Sequence, residues 1–193
     1  MSIFPLFYSG SIGYYQSLLA AETVQFELHE NFVKQSQRNR LELVGPNGRQ
    51  LLVIPTMKTG NRRKAGTVKI SYAENWRKEH WKSLEAAYRR SPYFEFYEHE
   101  FEPIFTQKPE LLADFNATLF ETIIRLLKVE LNFSYTTEYN SVDNDFRSVK
   151  FPLHTEMKYM QVFEDRHPFQ ANLSILDALF NLGPQAKDLI IPQ

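Results

Sequence analysis

Residues able to do chemistry are densest between His29 and Arg40, where the chain reads HENFVKQSQRNR. His29 and Glu30 are candidate general bases, able to take a proton from an attacking amine held within hydrogen-bond reach. Lys34, Arg38 and Arg40 are candidate phosphate ligands, because a guanidinium meets phosphate oxygens two at a time and an ammonium meets them as a point charge. Asn31 and Asn39 add amides to the same substrate-binding set. A second cationic group follows in MKTGNRRKAGT (57–67), where Lys58, Arg62, Arg63 and Lys64 lie among two glycines. That segment is either a solvated loop or a lid that grips an anion, with Arg62 and Arg63 as its substrate-facing members. His80 is the third catalytic candidate. On the apolar stripe of a helix it is either a hydrogen-bonded core histidine or a pocket-lining acid/base, since imidazole titrates near neutrality.

Other patterns carry less chemistry. His29 and Glu30 with a distant His167 could serve a metal-dependent hydrolase, but HEN lacks the spacing of a zinc-binding helix, and no metal is expected. Asp165-Arg166-His167 reads as a turn, because a triad joins residues distant in sequence. No serine sits in a nucleophile-elbow pattern. Ser9-Gly10-Ser11 precedes a helical run and is either a structural turn or an anion cradle at a helix N-terminus.

The elements that must position these residues can be read from hydrophobic period. Val24, Phe26 and Leu28 alternate with polar residues, as in a half-buried strand. Arg40–Val44 and Gln50–Ile54 do the same on either side of Gly45-Pro46-Asn47-Gly48, a hairpin signal in which Asn47 and Gly48 both accept positive φ. Ser2–Tyr8 suits a buried first strand, and Ile12–Ala21 a helix capped by Ser9 or Ser11, so the chain opens as a β-α-β unit with a parallel crossover. Val68–Tyr72 is a further short strand. Glu74–Ser91, Tyr93–Phe105 and Pro109–Lys128 have helical periodicity, with Pro109 in a first turn. Trp76 or Trp81, with Leu84 and Tyr88, belongs to the core. Leu131–Thr136 alternates as a strand, Glu138–Arg147 is polar and loop-like, and Val149–Phe169 is irregular and packs by its aromatics. A compact helix capped by Asn172 and stopped at Gly183-Pro184, then a short helix at Gln185–Ile190, complete the chain. The expectation is a single α/β domain spanning 1–193, with a mixed sheet, a β-hairpin, flanking helices and a helical C-terminal part.

Composition narrows the function classes. The 193 residues suffice for one well-formed core, and 43% hydrophobic content argues against disorder. Sixteen Phe and ten Tyr supply either an aromatic core or a ring-stacking pocket. A net charge of −1 disfavours a general nucleic-acid binder, and the absence of cysteine excludes disulfides and thiolate metal sites. No apolar run reaches membrane-spanning length and the N-terminus lacks a signal pattern, so a soluble cytoplasmic protein is expected.

Several stretches in the same order resemble the WbqC-like family, in the short form of Bacteroidetes-type sequences. They are HENFVKQSQRNR (29–40), the Pro46-Asn47-Gly48 hairpin, HWKSLEAAYRRSPYFEFY (80–97), DFNATLFETI (114–123) and QVFEDRHPFQANLSILDALFNLGP (161–184). Many relatives begin with Gln-Pro-x-Tyr-Leu-Pro. Here Phe4-Pro5-Leu6-Phe7-Tyr8 stands instead, so a role for that glutamine does not carry over. The family takes its name from gene clusters for O-antigen and related surface polysaccharides, and some relatives are labelled glycyl or aminoacyl transferases acting on amino sugars. The resemblance therefore implies a transferase that modifies an amino sugar on a nucleotide carrier. The alternative is a non-catalytic binding or scaffold protein of the same pathway. In either case the expected partner is a small-molecule ligand of nucleotide-sugar type, with no cofactor, no nucleic acid and no membrane span, and with a homo-oligomer as an option. Within the polar stretch, strand alternation carried back from Arg40 puts Arg38 on the same face and Asn39 on the opposite one; Glu30–Arg40 is the expected structural pair and Arg38 the arginine left for ligand.

Overall fold

The computed structural model describes residues 1–58, 62–139, 142–155 and 157–191. The centre of the basic segment (59–61), two positions of the 138–147 loop (140 and 141) and one of the irregular stretch (156) lie outside the described residues.

Strand β1 (Ser2–Pro5) is buried along its whole length and runs parallel to β2 (Val24–Glu27), pairing Ser2 with Val24 and Phe4 with Phe26. Helix α1 (Ile12–Leu19) makes the crossover between them, capped by Ser11, whose hydroxyl accepts the Tyr14 N–H. Two more parallel strands complete this sheet. They are β5 (Phe133–Tyr135) beside β2 and β6 (Asn144–Asp145) beside β1, giving the order β5-β2-β1-β6. A parallel sheet buried by helices reads as continuous apolar sequence rather than alternation, which is why SIFP is buried throughout.

The antiparallel pairing expected of a mixed sheet forms a separate two-stranded hairpin, β3 (Arg40–Gly45) with β4 (Gly48–Val53). Its turn differs from the expected one. Only Gly48 takes positive φ, at 100°. Proline fixes φ near −65°, so with Pro46 as its first residue the loop cannot be a two-residue primed turn, and the left-handed geometry moves to the glycine that closes it.

Helices α2 (Trp76–Tyr88), α3 (Phe94–Thr106) and α4 (Leu112–Leu127) form one helical layer, and α5 (Ile175–Leu182) closes the core from the C-terminal side. Trp76, Leu84 and Tyr88 are core residues as their spacing requires, and Trp81 is half-buried. Phe180 of α5 meets Phe94, Phe101 and Tyr88 at ring-centroid distances of 5.1–5.3 Å. Most of the aromatic content thus builds the core. Phe151, Tyr159 and Phe163 anchor the irregular 149–169 stretch in the same way.

Four local expectations are corrected. Val68–Tyr72 joins no sheet; only isolated bridges, Thr56 to Ile70 and Lys69 to Leu111, form there, after a 3-10 turn at Ala65–Thr67. Pro109 precedes α4 instead of opening it. Its carbonyl accepts the Tyr72 hydroxyl, and the chain stays extended through Leu111. Ser174, not Asn172, caps α5, because the Asn172 amide is engaged elsewhere, accepting from Gly13 N–H and donating to the Phe151 carbonyl. The final turn, Gly183–Leu189, is 3-10.

Candidate anion-binding cleft

All four strands of the parallel sheet point the same way, and the chain leaves β1 for β2 on one side and returns to β6 on the other. In open α/β sheets the crevice outside the carboxyl ends, where strand order reverses, is the usual ligand position. Here a buried charge network occupies that edge. Glu27, at the end of β2, accepts the His29 N–H at 2.7 Å and the Thr136 hydroxyl at 2.9 Å, and pairs with Arg147 at 3.2 Å. Arg147 is also gripped by Asp145, whose carboxyl is held below its usual range by that contact. Arg38 donates to Glu30 through Nε at 2.8 Å, forms an ion pair with it through Nη2 at 2.6 Å, and donates from Nη2 to the Arg147 carbonyl at 3.0 Å. Burial pushes the Glu30 carboxyl up, and the Arg38 charge and hydrogen bonds pull against that shift.

This reverses the expected division between the two arginines. Arg38 is 4% exposed and structural, paired with Glu30. Alternation does not extend to it, because β3 begins only at Arg40 and Gln35, four residues before Asn39, already turns the backbone with φ 58°. Arg40 is the arginine left unpaired. Among the described residues Lys34, Arg40 and Lys58 form no ion pair.

Lys34, Arg40, Lys58 and Arg63 instead line one cleft of about 480 Å³, together with Phe32, Gln35, Asn39 and Thr56. The segment leaving β2 supplies Phe32 and Lys34, the hairpin supplies Arg40, and the chain beyond β4 supplies Lys58 and Arg63. Arg63 lies over the Phe32 ring at 5.4 Å and donates to the Met57 carbonyl, which fixes its position at the rim. Among the described residues no carboxylate lines this cleft. Two atoms of its lining residues, Asn39 Oδ1 and Arg40 Nε, are buried without a hydrogen-bond partner among the described residues.

A smaller space of about 140 Å³ adjoins this cleft and shares Gln35 and Arg40 with it. Its wall includes Tyr8, Gly10, Ser11, Leu51, Asn172 and Ser174. Ser9, Gln35 and Asn172, three of the four non-glycine residues with positive φ among the described residues, flank or line it. Each left-handed residue costs about 1–2 kcal/mol, and such strain gathers at sites where backbone position matters. Gly10 also needs its lack of a side chain. Its φ is 70°, and a Cβ would stand 2.5 Å from the Tyr14 ring.

The Ser9-Gly10-Ser11 turn is a structural one. The first amides of α1 are already bonded, Ile12 to the Leu173 carbonyl, Gly13 to Asn172 and Tyr14 to Ser11. The α5 N-terminus is equally satisfied, with Ile175 N–H on the Gly10 carbonyl and Leu176 N–H on the Ser174 hydroxyl. The two helix ends bond each other and leave nothing for an anion.

The remaining candidates are placed as follows. His80 is buried on α2 and its Nδ1 lies 2.9 Å from the Tyr8 hydroxyl. Burial pushes the imidazole down to about 4, against a favourable contact with the Val53 backbone, so it is neutral at pH 7. It is the hydrogen-bonded core histidine of the two alternatives, and it touches the smaller space only through Tyr8. His29 is half-buried, Asn31 and Arg62 are exposed, and none of the three lines the cleft. The cleft thus brings together Lys34, Asn39, Arg40 and Arg63, and leaves His29, Glu30, Asn31, Arg38, Arg62 and His80 outside it.

The sequence does not single out Phe32, Gln35 and Thr56 as site residues, nor the network members Glu27, Asp145 and Arg147. Lys58 is legible as part of the basic segment, though not as one of its substrate-facing members. Arg147 carries no such signal, since it lies in a polar run whose partners are distant in sequence.

No curated protein and no solved structure shows a significant match to the chain. The WbqC-like protein family matches residues 7–151, which include every cleft residue, and the chain belongs to that family.

Proposed function

We propose that the protein binds a phosphate-bearing small molecule, a nucleotide sugar, in the cleft around Arg40, and that it serves surface-polysaccharide synthesis in the cytoplasm. One observation carries the reading: Lys34, Arg40, Lys58 and Arg63 share a concavity in which no carboxylate lies among the described lining residues. Like charges focused in a cleft with low-dielectric walls raise the local potential and concentrate counter-ions. A diphosphate answers that field with several acceptors in a short span, which suits two fork-shaped guanidiniums and two ammonium groups around it.

The reaction implied by family resemblance is transfer of an aminoacyl or glycyl group to the amine of such a sugar. The sugar nitrogen would attack the acyl carbon, a C–N bond would replace the bond to the acyl carrier, and the amine proton would pass to a base. Glu30 is committed to Arg38 and His80 to Tyr8, and His29 does not line the cleft. With these three candidate bases outside the lining or held by other residues, the second reading, a non-catalytic binding protein of the same pathway, is favoured. Binding is common to both.

A thermal-shift panel of UDP-, GDP- and dTDP-sugars tests it. A ligand at about 100 times its Kd adds about 2.7 kcal/mol. For a chain of this size that raises Tm by about 5–10 °C. A panel in which no member moves Tm would sink the reading.

A further inference from the structure

The basic cleft and the smaller space beside it meet at Gln35 and Arg40, which line both. Their chemistry differs. The cleft is cationic. The smaller space carries only two charged groups in its lining, Arg40 at the junction and Glu42, which Arg49 holds at 2.6 Å, so away from the junction its wall is uncharged or paired. Its other polar wall groups are largely used internally: the Tyr8 hydroxyl on His80, Ser174 on Ser9, and the Asn172 amide on Gly13 and Phe151. Among the described residues the side-chain amides of Gln35 and Gln37 carry no hydrogen bond, Arg40 stands at the junction without an ion pair, and Leu41 and Leu51 supply apolar surface. Asn39, next to Arg40 in sequence, lines the cleft side.

From this juxtaposition we infer that the site is bipartite: phosphates lie in the basic cleft, and an uncharged, hydroxyl-bearing ring lies in the smaller space, with Arg40 and Asn39 at the joint between them. The inference rests on the anion-binding reading and adds the class of the attached group. Amides and one guanidinium edge bond hydroxyls and N-acyl oxygens, leucines cover the C–H face of a pyranose, and no second cationic cluster invites a further phosphate. The Ser9, Gln35 and Asn172 backbones, all of positive φ, flank or line this wall.

Isothermal titration of the full chain with UDP-N-acetylglucosamine, GDP-mannose and dTDP-glucose, each beside its nucleoside diphosphate, tests the inference. At least one sugar nucleotide should bind about tenfold more tightly than its diphosphate, the worth of one or two net hydrogen bonds. Leu51→Trp fills the smaller space from an exposed strand position, where a large side chain is tolerated. It should abolish that difference and leave diphosphate binding unchanged, and Gln37→Ala should narrow it. Equal affinity of wild type for sugar nucleotide and diphosphate, or a difference that survives both substitutions, overturns the bipartite site while the basic cleft stands. Failure of wild type to bind either class overturns both.

Discussion

Replacing Arg38 by Met should destabilise the fold far more than the same replacement at Arg40. Arg38 is 4% exposed, and its loss would leave the Glu30 carboxylate buried beside Glu27 with no cation of its own. It would also free the Arg147 carbonyl, now bonded at 3.0 Å. Breaking a buried pair at one end costs about 3–5 kcal/mol. At about 2–4 °C per kcal/mol for a chain of this length, Tm should fall by about 10 °C. Arg40 makes no ion pair and is half-buried, so Arg40→Met should cost less than about 1 kcal/mol. The assay is urea denaturation of both variants beside Glu30→Gln/Arg38→Met, whose neutral pair should recover much of the single-variant loss. An Arg38→Met protein melting within about 2 °C of wild type, or a double variant no better than the single, refutes the pairing.

Further expectations concern buried titratable groups and the core. Because burial lowers His80 to about 4, the unfolded chain takes up a proton between pH 6.5 and 4 that the folded chain refuses. Its contribution is therefore fully present above pH 6.5 and lost as pH falls through 4, about 3 kcal/mol in all. His80→Gln should flatten the acid limb of a denaturation series, and an unchanged limb contradicts the placement. Asp177 has the opposite sign. It is buried on α5, accepting from Tyr159 and Gln161 with no cation, and burial raises its carboxyl. Stability is then lost as pH rises above its ordinary value, so Asp177→Asn should match wild type in acid and exceed it at pH 8; a variant weaker at both values counts against this. Leu84 is fully buried, and Leu84→Ala should cost about 2–5 kcal/mol by calorimetry. A loss below about 0.5 kcal/mol would move it to the surface.

The elements legible in the sequence are those whose residues alone fix them. Trp76–Tyr88 carries its own apolar stripe, and the Asn47-Gly48 dipeptide locates the hairpin even though Pro46 changes the turn. Asn144–Asp145 could not be read, because two exposed polar residues become a strand only by pairing with β1. The site was legible as a region but not as a geometry. The His29–Arg40 stretch holds Lys34, Asn39 and Arg40 of the cleft, yet alternation assigned Arg38 and Arg40 to one face. The turn at Gln35 and the distant Arg147 decide which arginine is buried, and neither leaves a periodic trace. Lys58 and Arg63 join the cleft by the path of the chain after β4, which local pattern does not specify.

In the proposed site Arg40 faces a bound phosphate. Titration calorimetry of wild type and Arg40→Met with the tightest sugar nucleotide of the panel, at about 50 mM and about 300 mM salt, decides this. Wild type should bind and weaken with salt. Arg40→Met should lose about tenfold or more at low salt, as one charge-assisted contact requires, while keeping the wild-type Tm. An Arg40→Met protein that binds as tightly as wild type, or an affinity indifferent to salt, contradicts that placement.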